Sequence, residues 1–162
     1  MTEAPASQRL ARLLALVARQ DDHLLAVRSR LLGTDCRIDP DRLRNLVADD
    51  LGIDRLESFG AKFARMQDTV VDKLIPALLR AAGEPVAAAV DNLARLERLG
   101  LIGSANEWLE MRGLRNRLVH EYVDQPEDLA PALEHACRFT DSVHADYTAL
   151  REYASQHLGV EP

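Results

Sequence analysis

At 162 residues the chain has the length of one ordinary domain with one sizeable core, and residues 1–162 read as a single helical domain. Leu and Ala dominate, aromatic residues make up only 4%, and β-branched residues are few beyond some Val, which disfavours sheets and points to an all-α protein. The net charge of −6 excludes a uniformly basic nucleic-acid-binding surface, so any polyanion site has to be a local cluster.

The first helix is expected over roughly Ser7 to Leu32, where Leu10, Val17, Leu24 and Leu31, with Leu13 and Val27 between them, form a seven-residue apolar stripe. Gly33 and Thr34 end it. Asp39, Pro40 and Asp41 supply an N-cap, a first-turn proline and an acidic first turn for a short helix running to about Leu51. Gly52 is expected to break that helix, and Asp54 with Glu57 to cap the next. The next helix carries Leu56, Phe59, Phe63, Met66, Val70, Leu74 and Leu78 on one face, with a kink near Asp72 and Lys73 imposed by Pro76.

Gly83, Glu84 and Pro85 separate this element from a helix over Pro85 to about Leu99, closed by Gly100 and Gly103. Ser104 and Glu107 make the clearest capping box, opening a helix with Trp108, Met111, Leu114 and Leu118 on its apolar side that ends near Tyr122. The last helix, roughly Asp128 to His157, places Leu129, Leu133, Ala136, Thr140, Val143, Tyr147, Leu150 and Ala154 in alternating steps of four and three, a coiled-coil-like seam. Pro131 fits only in its first turn. Short turns between these elements predict an antiparallel up-down bundle of four long helices plus a short extra helix.

No stretch reaches the roughly 18 apolar residues of a membrane span, and Met1 to Ser7 lacks a basic leader followed by an apolar run. A cytoplasmic protein with no membrane contact is the expectation. Cys36 and Cys137 have neither metal-site spacing nor the count of a disulfide framework, and both read as reduced thiols. With no Gly-rich phosphate loop, no His/Cys cluster at zinc spacing and no Glu-x-x-His pair, no cofactor and no metal are expected. His23 and His157 read as surface residues, and His135 and His144 as surface or rim residues of the last helix.

His120 differs through its neighbours. Arg112, Asn116 and His120 follow one another at four-residue steps and fall within about 80° of each other on a helix, beside the core strip rather than within it. Arg115 lies at the edge of this polar strip, and Tyr122 lies almost directly above Arg115 if the helix continues that far. Guanidiniums, an amide, an imidazole and a phenol thus converge where the helix runs into a turn, a set that can hold a phosphate and move a proton near neutral pH. The Arg excess, 18 against 2 Lys, carries little weight of its own.

The string Arg115, Asn116, Arg117, Leu118, Val119, His120, Glu121, Tyr122, at the end of a capped helix of a helical chain, resembles the Arg-x4-His-x-Tyr motif of the HepT-like group in the HEPN superfamily. The resemblance implies a metal-independent endoribonuclease toxin with Arg115 and His120 as catalytic residues and Asn116 and Arg112 in support. It implies a homodimer whose two motifs face one cleft, and a cognate MNT-type nucleotidyltransferase antitoxin that uses ATP to adenylylate Tyr122. The substrate would be an RNA, tRNA or mRNA. The material around Asp35 to Gly52 exceeds what smaller members carry, which leaves the dimer geometry and the RNA path open, as is whether Gln67 and Asp68 line the site. Two other readings stand beside it: a non-catalytic module that binds a nucleotide or the nucleotidyltransferase, and a scaffold whose polar strip is solvated.

Overall fold

The computed structural model describes residues 5–120 and 126–162, leaving out the side chains of Asn116, Val119, His120 and Pro126. Among the described residues the protein is all helical. Helix α1 spans Ala6–Leu32 and buries Leu10, Leu14, Val17, Leu24, Val27 and Leu31 along one stripe. Gly33 then takes a φ of 65°, a left-handed conformation open to glycine at little cost, and its N–H closes the helix on the Ser29 carbonyl. Helix α2, Pro40–Leu46, is capped as expected by Asp39, whose side chain accepts from the Arg42 N–H.

The junction after α2 differs from the sequence expectation. Helix α3, Asp50–Thr69, begins four residues earlier than Asp54, and its N-cap is Asp49, whose carboxylate accepts the Gly52 N–H at 2.8 Å. Gly52 therefore lies inside the first turn of α3 and does not break a helix. It is glycine because the end of α2 crosses it: a Cβ there would sit 1.7 Å from the Leu46 carbonyl oxygen.

Pro76 acts where expected but in a specific way. It has no N–H to offer the Asp72 carbonyl four residues back, and the ladder widens into a π-helical segment, Val70–Leu74, in which the Ile75 N–H bonds the Val70 carbonyl. The chain continues directly into α4, Ile75–Ala81. Helix α5, Ala89–Arg98, starts four residues later than expected from Pro85. The Asn92 side chain sets its start by bonding both the N–H and the carbonyl of Ala87, at 2.9 and 3.0 Å.

Ser104 caps α6, Ala105–His120, by accepting the Glu107 N–H at 3.1 Å. Helix α7, Pro126–Leu158, begins earlier than Asp128, so Pro131 lies in its second turn and not its first. All eight seam residues from Leu129 to Ala154 are buried.

Four partners form a closed ring: α1 against α3, α3 against α6, α6 against α7 and α7 against α1. Three of these pairings are visibly antiparallel. Leu14, Asp21 and Arg28 on α1 meet Tyr147, His144 and Thr140 on α7. Asp72 and Asp68 on α3 and its extension meet Arg112 and Arg115 on α6, and Trp108 and Arg117 on α6 meet Asp146 and Asp128 on α7. The ring makes α1 and α3 antiparallel as well, the up-down bundle expected, with α2 added on α7 and α5 on α6.

Inside the core Trp108 and Phe63 each meet Phe139 edge-on at centroid distances of 5.1 and 6.0 Å. Asp146, nearly buried, accepts the Trp108 indole N–H at 2.8 Å and the Gly103 N–H at 3.0 Å, tying the start of α6 to α7. Its burial pushes its carboxyl pKa up, partly offset by these two bonds.

The reduced-thiol expectation is corrected. Cys36 and Cys137 form a disulfide with Cα atoms 5.6 Å apart, joining the segment between α1 and α2 to α7 across 101 residues of sequence. That spacing carries no local signature. The pairing arises because this segment lies along α7, where the Ile38 N–H also bonds the Glu134 carboxylate at 2.9 Å. No helix of the described residues is long and apolar enough to cross a membrane.

Candidate functional site

The sequence motif occupies the second half of α6, and the α3–α6 packing decides what its side chains meet. Gly60 lets the helices approach closely: a Cβ there would lie 3.2 Å from the Leu118 carbonyl oxygen. With Leu118 buried at this crossing, Arg115 and Arg112, three and six residues before it, project towards α3 and its π-helical extension. Arg115 pairs with Asp68 and reaches the Ala64 carbonyl, and Arg112 pairs with Asp72 at 3.2 Å and approaches Asp68 at 3.9 Å. Each of these two side chains is about one-quarter exposed and is covered by a carboxylate from α3 or its π-helical extension.

These pairs lie in a groove of about 570 Å³ whose rim also carries Arg65 and Lys73 from the α3 side. Four cationic side chains therefore face two carboxylates along one groove of a chain with net charge −6. Arg65 and Lys73 are exposed and form no ion pair among the described residues. Arg115 engages α3 through Nη1 alone and Arg112 through Nη2 alone, so each guanidinium keeps further N–H donors without a partner among the described residues.

Asn116 and His120 lie on α6, but their side chains are outside the described residues, and Tyr122 lies outside them altogether. Arg117, inside the motif string, turns the other way and donates to the Asp128 carbonyl of α7 at 3.3 Å. Of the two residues left open on α3, Asp68 lines the groove, whereas Gln67 is fully buried with both amide atoms lacking a hydrogen-bond partner among the described residues. Arg65, Asp72 and Lys73 were not singled out in the sequence. Together with Asp68 they form a polar edge, with Arg65, Asp68 and Asp72 three and four residues apart, which any solvated helix face shows.

A second polar cluster was also missed. His144, read as a rim residue, places Nδ1 2.5 Å from a carboxylate oxygen of Asp21, which is buried on α1. Burial raises the Asp21 pKa, a shift that His144 partly opposes through its hydrogen bond and charge. The flanking groove of about 430 Å³ includes Arg151, Glu152 and Asp22, and the Tyr147 hydroxyl beside it donates to the Leu14 carbonyl at 2.8 Å. This cluster mainly couples α1 to α7. Among the described residues no three His, Cys, Asp or Glu side chains are grouped to hold a metal ion.

Comparison of the chain with protein-family models, with curated proteins and with solved structures finds no match to any of them.

Proposed function

We propose that the chain is a metal-independent endoribonuclease of the HEPN type, acting as the toxin of a toxin–antitoxin pair. The observation that carries the reading is the placement of Arg115, the first residue of the motif, in a groove richer in cations than anions on an otherwise acidic protein. In the proposed reaction the 2′-hydroxyl oxygen attacks the adjacent phosphorus and the bond to the next nucleotide's 5′-oxygen breaks. A 2′,3′-cyclic phosphate and a 5′-hydroxyl result. His120 takes the 2′-hydroxyl proton, a second His120 across a two-fold homodimer donates one to the departing oxygen, and Arg115 stabilises the phosphorane charge. Asn116 and Arg112 support the phosphate.

Control is assigned to Tyr122, which a cognate nucleotidyltransferase would adenylylate with ATP. The added phosphate would compete with RNA for the same guanidiniums. A cytoplasmic location belongs to the reading.

One observation favours a second reading, a non-catalytic module that binds a nucleotide or the nucleotidyltransferase: Asp68 and Asp72 already compensate Arg115 and Arg112. Cleavage kinetics separate the two. Arg115→Ala and His120→Ala should each slow RNA cleavage by a factor on the order of 10²–10⁴ with helicity unchanged. Cleavage at wild-type rates by both variants refutes the ribonuclease reading and leaves the binding module.

A further inference from the structure

We infer that the α3–α6 groove is a track for the sugar-phosphate backbone of single-stranded RNA, with Arg65 and Lys73 of the α3 side as its flanking phosphate contacts. The inference rests on the ribonuclease reading for the identity of the polyanion, but the residues it assigns lie outside the motif. The groove's rim holds Arg65, Lys73, Arg112 and Arg115 against Asp68 and Asp72.

The four cations have different jobs. Arg112 and Arg115 are held from α3 by one terminal nitrogen each, which fixes the guanidinium planes and leaves their other donors for a phosphate. Arg65 and Lys73 have no such tether among the described residues, so an arriving anion supplies their counter-charge. They are eight residues apart, about 12 Å along the helix, which matches the rise of three to four stacked nucleotides at about 3.4 Å each. Arg112 and Arg115 lie between these flanking positions in register, with Arg112 opposite Asp72 and Arg115 opposite Asp68. A backbone laid along the groove would therefore meet Lys73, Arg112, Arg115 and Arg65 in turn.

Among the described residues no aromatic side chain lines the groove. Contacts to phosphates alone carry no sequence information, so the flanking positions Arg65 and Lys73 bind RNA without regard to its bases. Double-stranded RNA fits less well, because a helical groove between two packed helices offers one line of charge and not two.

The test measures binding separately from cleavage. Fluorescein-labelled 12-nucleotide 2′-O-methyl oligouridylate, which cannot undergo attack by its own 2′-oxygen, is titrated with the wild type and with the Arg65→Ser/Lys73→Ser double variant across a salt series. Arg138→Ser/Arg151→Ser serves as control, since it removes the same charge from α7, the helix diagonal to α3 in the bundle. The Arg65/Lys73 variant should bind about 10- to 30-fold more weakly at 0.1 M salt, with a log–log salt slope shallower by about 1.4, the signature of two lost phosphate contacts on a single strand. The control should bind within about threefold of wild type, and the matching oligoadenylate should bind like the oligouridylate. Equal affinity and slope for wild type and the Arg65/Lys73 variant overturn the track, as does absence of oligonucleotide binding by the wild type. If the variant loses binding as expected while unmodified RNA is never cleaved by the wild type, the track stands and the ribonuclease reading falls.

Discussion

Exchanging glycine for alanine at three helical positions should give three different outcomes, because the space beyond each Cα differs while the chemistry does not. In α6 a Cβ on Gly113 would meet nothing within 4 Å. Gly113→Ala therefore keeps only the propensity gain, about 1 kcal/mol, and should raise the melting temperature by roughly 2–4 °C for a chain of this length. At Gly52 the added carbon would lie 1.7 Å from the Leu46 carbonyl oxygen and 2.8 Å from its carbon. The obstacle is backbone, so the α2–α3 junction has to open and the Asp49 cap on the Gly52 N–H is strained or lost. Overpacking of about 3 kcal/mol plus a cap worth about 1, less the propensity gain of about 1, leaves a loss near 3 kcal/mol, or roughly 6–12 °C. Gly60 lies between them, its Cβ meeting the Leu118 oxygen at 3.2 Å. There the gain and the push on the α3–α6 crossing should cancel to within about 1 kcal/mol. Urea and thermal unfolding of the three variants give the ordering directly. If Gly52→Ala matches or exceeds wild-type stability, the close crossing of α2 over the first turn of α3 is wrong.

Two further predictions concern the ties between elements. Closing a loop of 101 residues, the Cys36–Cys137 bond should contribute about 2–4 kcal/mol, so Cys137→Ser should unfold at lower urea under oxidising conditions and match the reduced wild type; two free thiols in the native oxidised protein would refute the pairing. Asp21 has its pKa raised in the fold, mainly by burial, so its contribution to stability is complete below its ordinary value of 3.8 and is lost as pH rises through the raised value. Since His144 opposes the shift, His144→Ala should deepen that loss, and the stability gap between variant and wild type should widen from pH 4 to pH 7 in unfolding titrations; a gap independent of pH counts against the pair.

Features decided within one or two helical turns were legible in the amino-acid order. The seams of α1 and α7 follow from apolar spacing, the starts of α2 and α6 from Asp39 and Ser104, and the disturbance before Pro76 from its missing N–H. All of these depend on neighbours three to five residues away. Misplaced boundaries trace to contacts from elsewhere or to caps of unusual form: Gly52 is shaped by the α2 carbonyl that crosses it, and the start of α5 by Asn92 reaching back to Ala87.

The candidate site divides along the same line. Its motif is a contiguous string and Arg112 stands one helical step before Asn116, so Arg112, Arg115, Asn116, His120 and Tyr122 could be named from order alone. Asp68, Asp72, Arg65 and Lys73 belong to it only because α3 and α6 pack antiparallel at a rotation set by Gly60 and Leu118. Cys36 with Cys137 and Asp21 with His144 likewise meet across more than 100 residues. Periodicity reveals which face of a helix is apolar, but the register and rotation of one helix against another emerge from the packing of the whole core, and only the tertiary structure supplies them.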